Sequence, residues 1–201
     1  MSVYKFSNAG GFGNITRYND FLAGNPAVIQ DAGAYFPLGE FTLSSTQSSV
    51  TFSNIPQTYK HLEIRSNAKD TAQASGSFNL RARFNSDSSG SYTFHRLYGN
   101  GSSAVSDSGT AQTSTLVGNV AANGYTNVFG AGVCQILDYT STNKYKTVRA
   151  LHGADVNGTG GYIFFTSGLW LSTSAITSIT LITDATALAT NSHFALYGVL
   201  A

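Results

Sequence analysis

Alternation of apolar and polar positions is clearest in two stretches. In residues 60–65, Leu62 and Ile64 fall on one side of an extended backbone, and His61, Glu63 and Arg65 on the other. Residues 78–85 repeat the pattern, with Phe78, Leu80, Ala82 and Phe84 inward and Asn79, Arg81, Arg83 and Asn85 outward. A period of two with one apolar side predicts a strand in an antiparallel sheet that has one wet face. Residues 40–45 and 49–53 predict a first hairpin, and residues 91–98 another strand after the turn at 86–90. Residues 99–113, rich in Gly, Ser and Ala, read as a polar loop. Longer apolar runs follow at 114–121, 127–139, 145–152, 162–171, 176–183 and 193–200, with turn pairs at Asn123-Gly124, Thr142-Asn143 and Asn157-Gly158. About ten strands at this spacing predict an all-β fold, an antiparallel, jelly-roll-like β-sandwich. No fixed short period that would favour a β-helix is present.

Residues 1–38 follow neither a strand nor a helix period, apart from one turn of helix predicted around 16–23 with Thr16 as N-cap. They are broken by Gly10-Gly11, Gly13, Gly24, Asn25-Pro26, Gly33 and Pro37, yet carry Tyr4, Phe6, Phe12, Ile15, Tyr18, Phe21, Leu22, Tyr35 and Phe36. A free linker does not carry so many large apolar side chains, because exposed they cost solubility. The segment therefore reads as an extended N-terminal arm that buries these residues, against its own sandwich or a neighbouring subunit. The predicted organisation is an arm over residues 1–38 and a sandwich over residues 39–201.

Composition sharpens this picture. Charged residues make up 10% of the chain and hydrophobic residues 42%, with a net charge of +1. The sequence is too apolar for a disordered chain and far below the charge content of an average soluble domain. Its surface must be hydrated by Ser, Thr, Asn and Gly, so copies repel one another weakly. No Lys or Arg run marks a nucleic-acid site. No apolar run is long enough to cross a membrane as a helix, and the first residues lack the apolar core of a secretion signal. The lone Cys134 lies in an apolar run and reads as a buried small residue.

Chemistry is sparse. His61, His95, His152 and His193 are too far from one another and from Cys134 for zinc-ligand spacing. The carboxylates are scattered, and no nucleophile elbow, phosphate loop or dinucleotide fingerprint occurs. No catalytic residue and no cofactor is expected. Asp155, Asn157 and Thr159 before Gly160 imitate the start of a calcium loop. The twelfth position is Thr166 rather than a bidentate Glu, so these are weak metal candidates in what reads as a hairpin turn. Arg81 and Arg83 share one strand face, where Glu63 could reach them if the strands are neighbours. With Tyr92, Tyr98 and Tyr125 they form the candidate set for a subunit interface or a glycan contact. Trp170 reads as core or interface.

The segment 83–87 (Arg-Phe-Asn-Ser-Asp), Tyr92, and 95–101 (His-Arg-Leu-Tyr-Gly-Asn-Gly) resemble structural proteins of tailed phages, notably those of aquatic bacteria. The same resemblance extends to 167–170, 174–181, 194–198, 55–62 and 16–25, and so to most of the chain. It implies a virion component, made in the bacterial cytoplasm and attached to capsid or tail subunits as a decoration, head-appendage, tail or baseplate protein. It also implies a homo-oligomer, with a trimer as one closed form. Host-surface glycan binding is the alternative, and a polysaccharide-degrading enzyme a more distant one.

Overall fold

The computed structural model describes residues 34–71, 75–156 and 160–200. Twelve strands form among them: β1 (Tyr35–Thr42), β2 (Ser49–Phe52), β3 (His61–Ala68), β4 (Ser77–Phe84), β5 (Tyr92–Gly99), β6 (Ala104–Gln112), β7 (Thr115–Ala121), β8 (Gly130–Leu137), β9 (Lys146–Asp155), β10 (Gly161–Trp170), β11 (Ile179–Thr183) and β12 (His193–Val199). They make two antiparallel sheets. The large one has the order β1-β12-β3-β8-β9-β10-β5-β6, and the small one β2-β11-β4-β7. The fold is the all-β, antiparallel sandwich that the alternation predicts.

The alternating residues face one another across the interior. Leu62 and Ile64 of β3, Ile136 of β8 and Val148 of β9 pack against Val50, Phe52, Leu80, Ala82, Phe84 and Leu181 of the small sheet. Full burial of each such side chain contributes about 1.5–3 kcal/mol, which makes this layer the main source of stability. Trp170 is buried beside Phe84 and Tyr92, and its indole N–H donates to Asp87 Oδ2 at 2.7 Å. Cys134 is fully buried, and desolvation pushes its thiol far up, so it is an inert core residue.

Strand β7 is buried along its whole length and packs over β8 and β9. Glycines in the large sheet make this close approach available. A Cβ at Gly130 would lie 2.5 Å from the Asn119 carbonyl oxygen, and one at Gly168 would lie 2.3 Å from Thr115 Oγ1. The buried Lys146 donates from Nζ to the carbonyls of Ser141, Lys144 and Thr173, closing the loops at one end of the sandwich.

Three expectations change. Strands β1 and β2 are not a hairpin, because they lie in different sheets and meet only across the interior, through Phe41 and Phe52. Most of the polar stretch 99–113 is strand β6, at the edge of the large sheet. An edge strand needs no apolar face, so alternation is absent there. Strand β1 begins at Tyr35, so residues 35–38 belong to the sheet rather than to the arm. The predicted helical turn at 16–23 and the anchor residues Tyr4, Phe6, Phe12, Ile15, Tyr18, Phe21 and Leu22 lie outside the described residues.

Candidate functional site

The two outer faces of the sandwich differ in character. On the small sheet the outward side chains are polar and locally paired. Thr51 and Thr180 share a hydrogen bond at 3.0 Å, Arg81 meets Asp184 at 3.4 Å, and Arg83 donates to the Thr113 carbonyl. The outer face of the large sheet carries an apolar row instead. Strand register sets Val133, Leu151, Phe165 and Leu97 side by side on β8, β9, β10 and β5. Phe165 is 61% exposed, Leu97 55% and Leu151 47%. Ile163, two residues before Phe165 on the same side, is 61% exposed.

The row is framed by polar groups already committed to one another. Glu63, on the outer side of β3, is only 3% exposed. Its Oε1 accepts from Arg65 Nε at 3.0 Å, and its Oε2 from Gln135 Nε2 at 3.2 Å. Arg149 Nε donates to Gln135 Oε1 at 2.8 Å, which extends the chain across three strands. Arg65 lies over the rings of Tyr197 and Tyr35, and its hydrogen bond to Glu63 raises its pKa. Among the described residues this network takes up the polar groups beside the row, while the row's large side chains stay about half exposed.

A shallow depression of about 1140 Å³ opens beside the row, lined by Arg65, Asn100, Phe129, Leu151, Gly153 and Ile163 among others. Its floor is low because only glycine fits at 153, where a Cβ would sit 2.2 Å from the Tyr162 carbonyl oxygen. A second depression, of about 430 Å³, lies at the other end, between His95, Leu97, Ser106 and Phe165. The row is thus a ridge between two hollows, a relief suited to an extended chain laid across the strands.

The residues singled out from sequence do not converge on this face. Tyr92 is fully buried, its hydroxyl accepting from the Phe84 N–H and donating to the Asp87 carbonyl, so it cannot meet a glycan or a partner. Tyr98 packs on Phe164, on the inner side of β5, under the Arg96 guanidinium. Tyr125 sits in the loop before β8 and accepts from the Gly76 N–H. Arg81 and Arg83 lie on the small sheet, so neither reaches Glu63 of the large one. Asp155 ends β9 and is exposed, while Asn157 and Thr159 lie outside the described residues. Among the described residues no group of three or more His, Cys, Asp or Glu side chains could hold a metal.

The titratable groups with resolved shifts have structural surroundings. His152 is buried on the inner side of β9, stacked on Phe164 and hydrogen-bonded through Nε2 to Thr166 Oγ1 at 3.1 Å. Desolvation, with the nearby Arg96 charge, lowers its pKa to about 4. Asp138 is held at about 2 by Lys144 and Lys60. Hydrogen bonds from Ser89 and Trp170 hold Asp87 low.

Sequence reasoning missed the apolar row, although a signal was present. The run Tyr162-Ile163-Phe164-Phe165 is apolar on both sides of a strand. In a two-layer sandwich only one side of a strand faces the core, so such a run leaves large side chains outside.

No family model matches the chain, and no curated protein matches it. Among known structures it is similar to galectin LEC-6 of Caenorhabditis elegans, at 12% identity and a TM-score of 0.32, over 81% of this chain and 96% of that one.

Proposed function

We propose that the chain is a non-catalytic structural module that works by being built into a larger protein assembly, with the outer face of the large sheet as its contact surface. The observation that carries this reading is the exposed row Leu97, Phe165 and Leu151, with Ile163 beside it. Four such side chains, each about half exposed, present on the order of 400 Å² of apolar surface, within the range of the largest patches on soluble monomers, which are often functional. The low charge of the chain favours close packing of copies. The resemblance to structural proteins of tailed phages supports a virion as that assembly, put together in the bacterial cytoplasm, with capsid or tail subunits as partners.

The test is incorporation. Phe165→Asp in the full chain should lower the number of copies per particle roughly tenfold or more, since one buried aromatic exchanged for a charge costs more than the corresponding 1.4 kcal/mol. Thr51→Asp, on the polar outer face of the small sheet, serves as the control and should incorporate normally. Normal incorporation of Phe165→Asp would sink the reading.

A second reading, host-surface glycan binding, is supported by the depression floored by Gly153, which Arg65 and Asn100 line together with the apolar Leu151 and Ile163. Binding to host polysaccharides that is lost in Asn100→Ala would favour it. Silence across those polysaccharides would remove it.

A further inference from the structure

The apolar row needs an occupant. A face-to-face pair of two copies through this row alone would be undersized. A stable interface takes about 800 Å² from each partner, and the row presents about half of that. A ridge between two hollows instead fits an extended segment with a few large side chains. From Val133 to Leu97 the row crosses three strand spacings, about 14 Å, which four or five extended residues span.

One such segment belongs to this chain. Residues 1–33, outside the described residues, carry Tyr4, Phe6, Phe12, Ile15, Tyr18, Phe21 and Leu22. Where that segment leaves the sandwich selects which copy it can serve. Tyr35 pairs with Val199 on the edge strand β1, and the Leu200 N–H still donates to the Ala34 carbonyl at 3.2 Å. The first described residues therefore sit on the edge strand, at the end of the sheet opposite Ile163 and five strands away from β10. Return to its own row would require a reversal and a crossing of the three strand spacings from β1 to β8. The 33 residues reach up to about 110 Å, long enough to extend to another copy.

We propose that the row Val133–Leu151–Phe165–Leu97 is the receptor for the segment 4–22 of a neighbouring copy of this chain, so that copies link by handing their N-terminal arms forward. This rests on the outer face being the contact surface, and it names the partner. Each copy then gives one arm and receives one. That is a heterologous contact, which closes into a ring when the rotation between copies permits.

The experiment replaces Phe165 by the photo-cross-linker p-benzoylphenylalanine in the full-length protein, and mixes isotopically light and heavy copies before assembly and irradiation. The expected product joins position 165 of one isotope to a peptide within 1–33 of the other. In Tyr18→Ser/Phe21→Ser/Leu22→Ser chains this product should fall roughly tenfold or more. Products joining 165 to 1–33 of the same isotope only would overturn arm exchange and leave an arm folded on its own body. Products joining 165 to 165, or to another particle protein, would overturn the arm as occupant but keep the face as contact surface. Absence of any protein cross-link from 165 in assembled particles would remove both the inference and the contact surface it rests on.

Discussion

His152 places an imidazole inside a sandwich whose other inward side chains are mostly apolar. Its ring is stacked on Phe164 at 5.0 Å, Nε2 meets Thr166, and among the described residues Nδ1 has no hydrogen-bond partner. Burial strips a charged ring of its water, and the Arg96 charge adds to that cost, which is why the folded pKa falls to about 4 from the usual 6.5. The sign of the pH effect follows. Between pH 6.5 and 4 the unfolded chain binds a proton at this position that the folded chain refuses. The contribution to stability is therefore complete above the unfolded pKa and is lost as pH falls through this window. The size is on the order of 3 kcal/mol. Urea midpoints taken at intervals from pH 7 to pH 4 should decline, and His152→Phe, which keeps the stacking and cannot titrate, should flatten most of that decline. The Asp138 carboxylate, held at about 2 by its lysines, gives way only below its ordinary range and does not contribute in this window.

Among the strands, β7 and β8 meet more closely than side chains allow. Gly130→Ala would put a Cβ 2.5 Å from the Asn119 carbonyl oxygen and 2.9 Å from its carbon, both backbone atoms that cannot rotate away. The cost should be about 1–3 kcal/mol, as for other overpacked cores. Gly99→Ala, whose new methyl would have nothing nearer than 3.9 Å, should stay within about 0.5 kcal/mol of the parent. Thermal unfolding of the two variants separates them, and equal midpoints would mean that β7 does not ride on Gly130. Elements like these also mark the limits of sequence. Strands β3 and β4 were legible because Leu62, Ile64, Leu80, Ala82 and Phe84 alternate with polar neighbours, and one side of each strand is dry. Strand β6 was not, because an edge strand of Ser, Asp, Gly and Thr has no dry side to print a period on the sequence. The separation of β1 from β2 was invisible for another reason: a short connection looks the same whether it turns within a sheet or crosses between two. Tyr92 shows the same limit for single residues. Its hydroxyl suits a ligand contact, but the partner that buries it, the Phe84 amide, is brought there by the fold.

At the scale of the molecule, the two outer faces of the described residues divide the surface into a polar side with settled pairs and a side with an exposed apolar ridge. The charges nearest the ridge, Glu63 and Arg65, already neutralise each other at 3.0 Å, and Arg149 is tied to Gln135. A partner laid on Leu97, Phe165 and Leu151 gains apolar burial beside Arg149, whose hydrogen bond to the neutral Gln135 leaves it charged. The net charge of +1 adds little long-range repulsion. Association through this face should then respond to salt unlike a charge-mediated contact. Raising sodium chloride from low to molar concentration screens exposed ion pairs almost completely, because the Debye length shrinks to about 3 Å, but leaves apolar burial in place. Sulfate, excluded from the protein surface, should strengthen the contact. Sedimentation velocity of the full chain over a concentration series is expected to show the same or a higher oligomer fraction in molar chloride, a higher one in sulfate, and a lower one in Phe165→Asp at every salt. Dissociation by chloride would place the contact on charged groups such as Arg81 and Arg83 of the small sheet, and so on the opposite face of the sandwich.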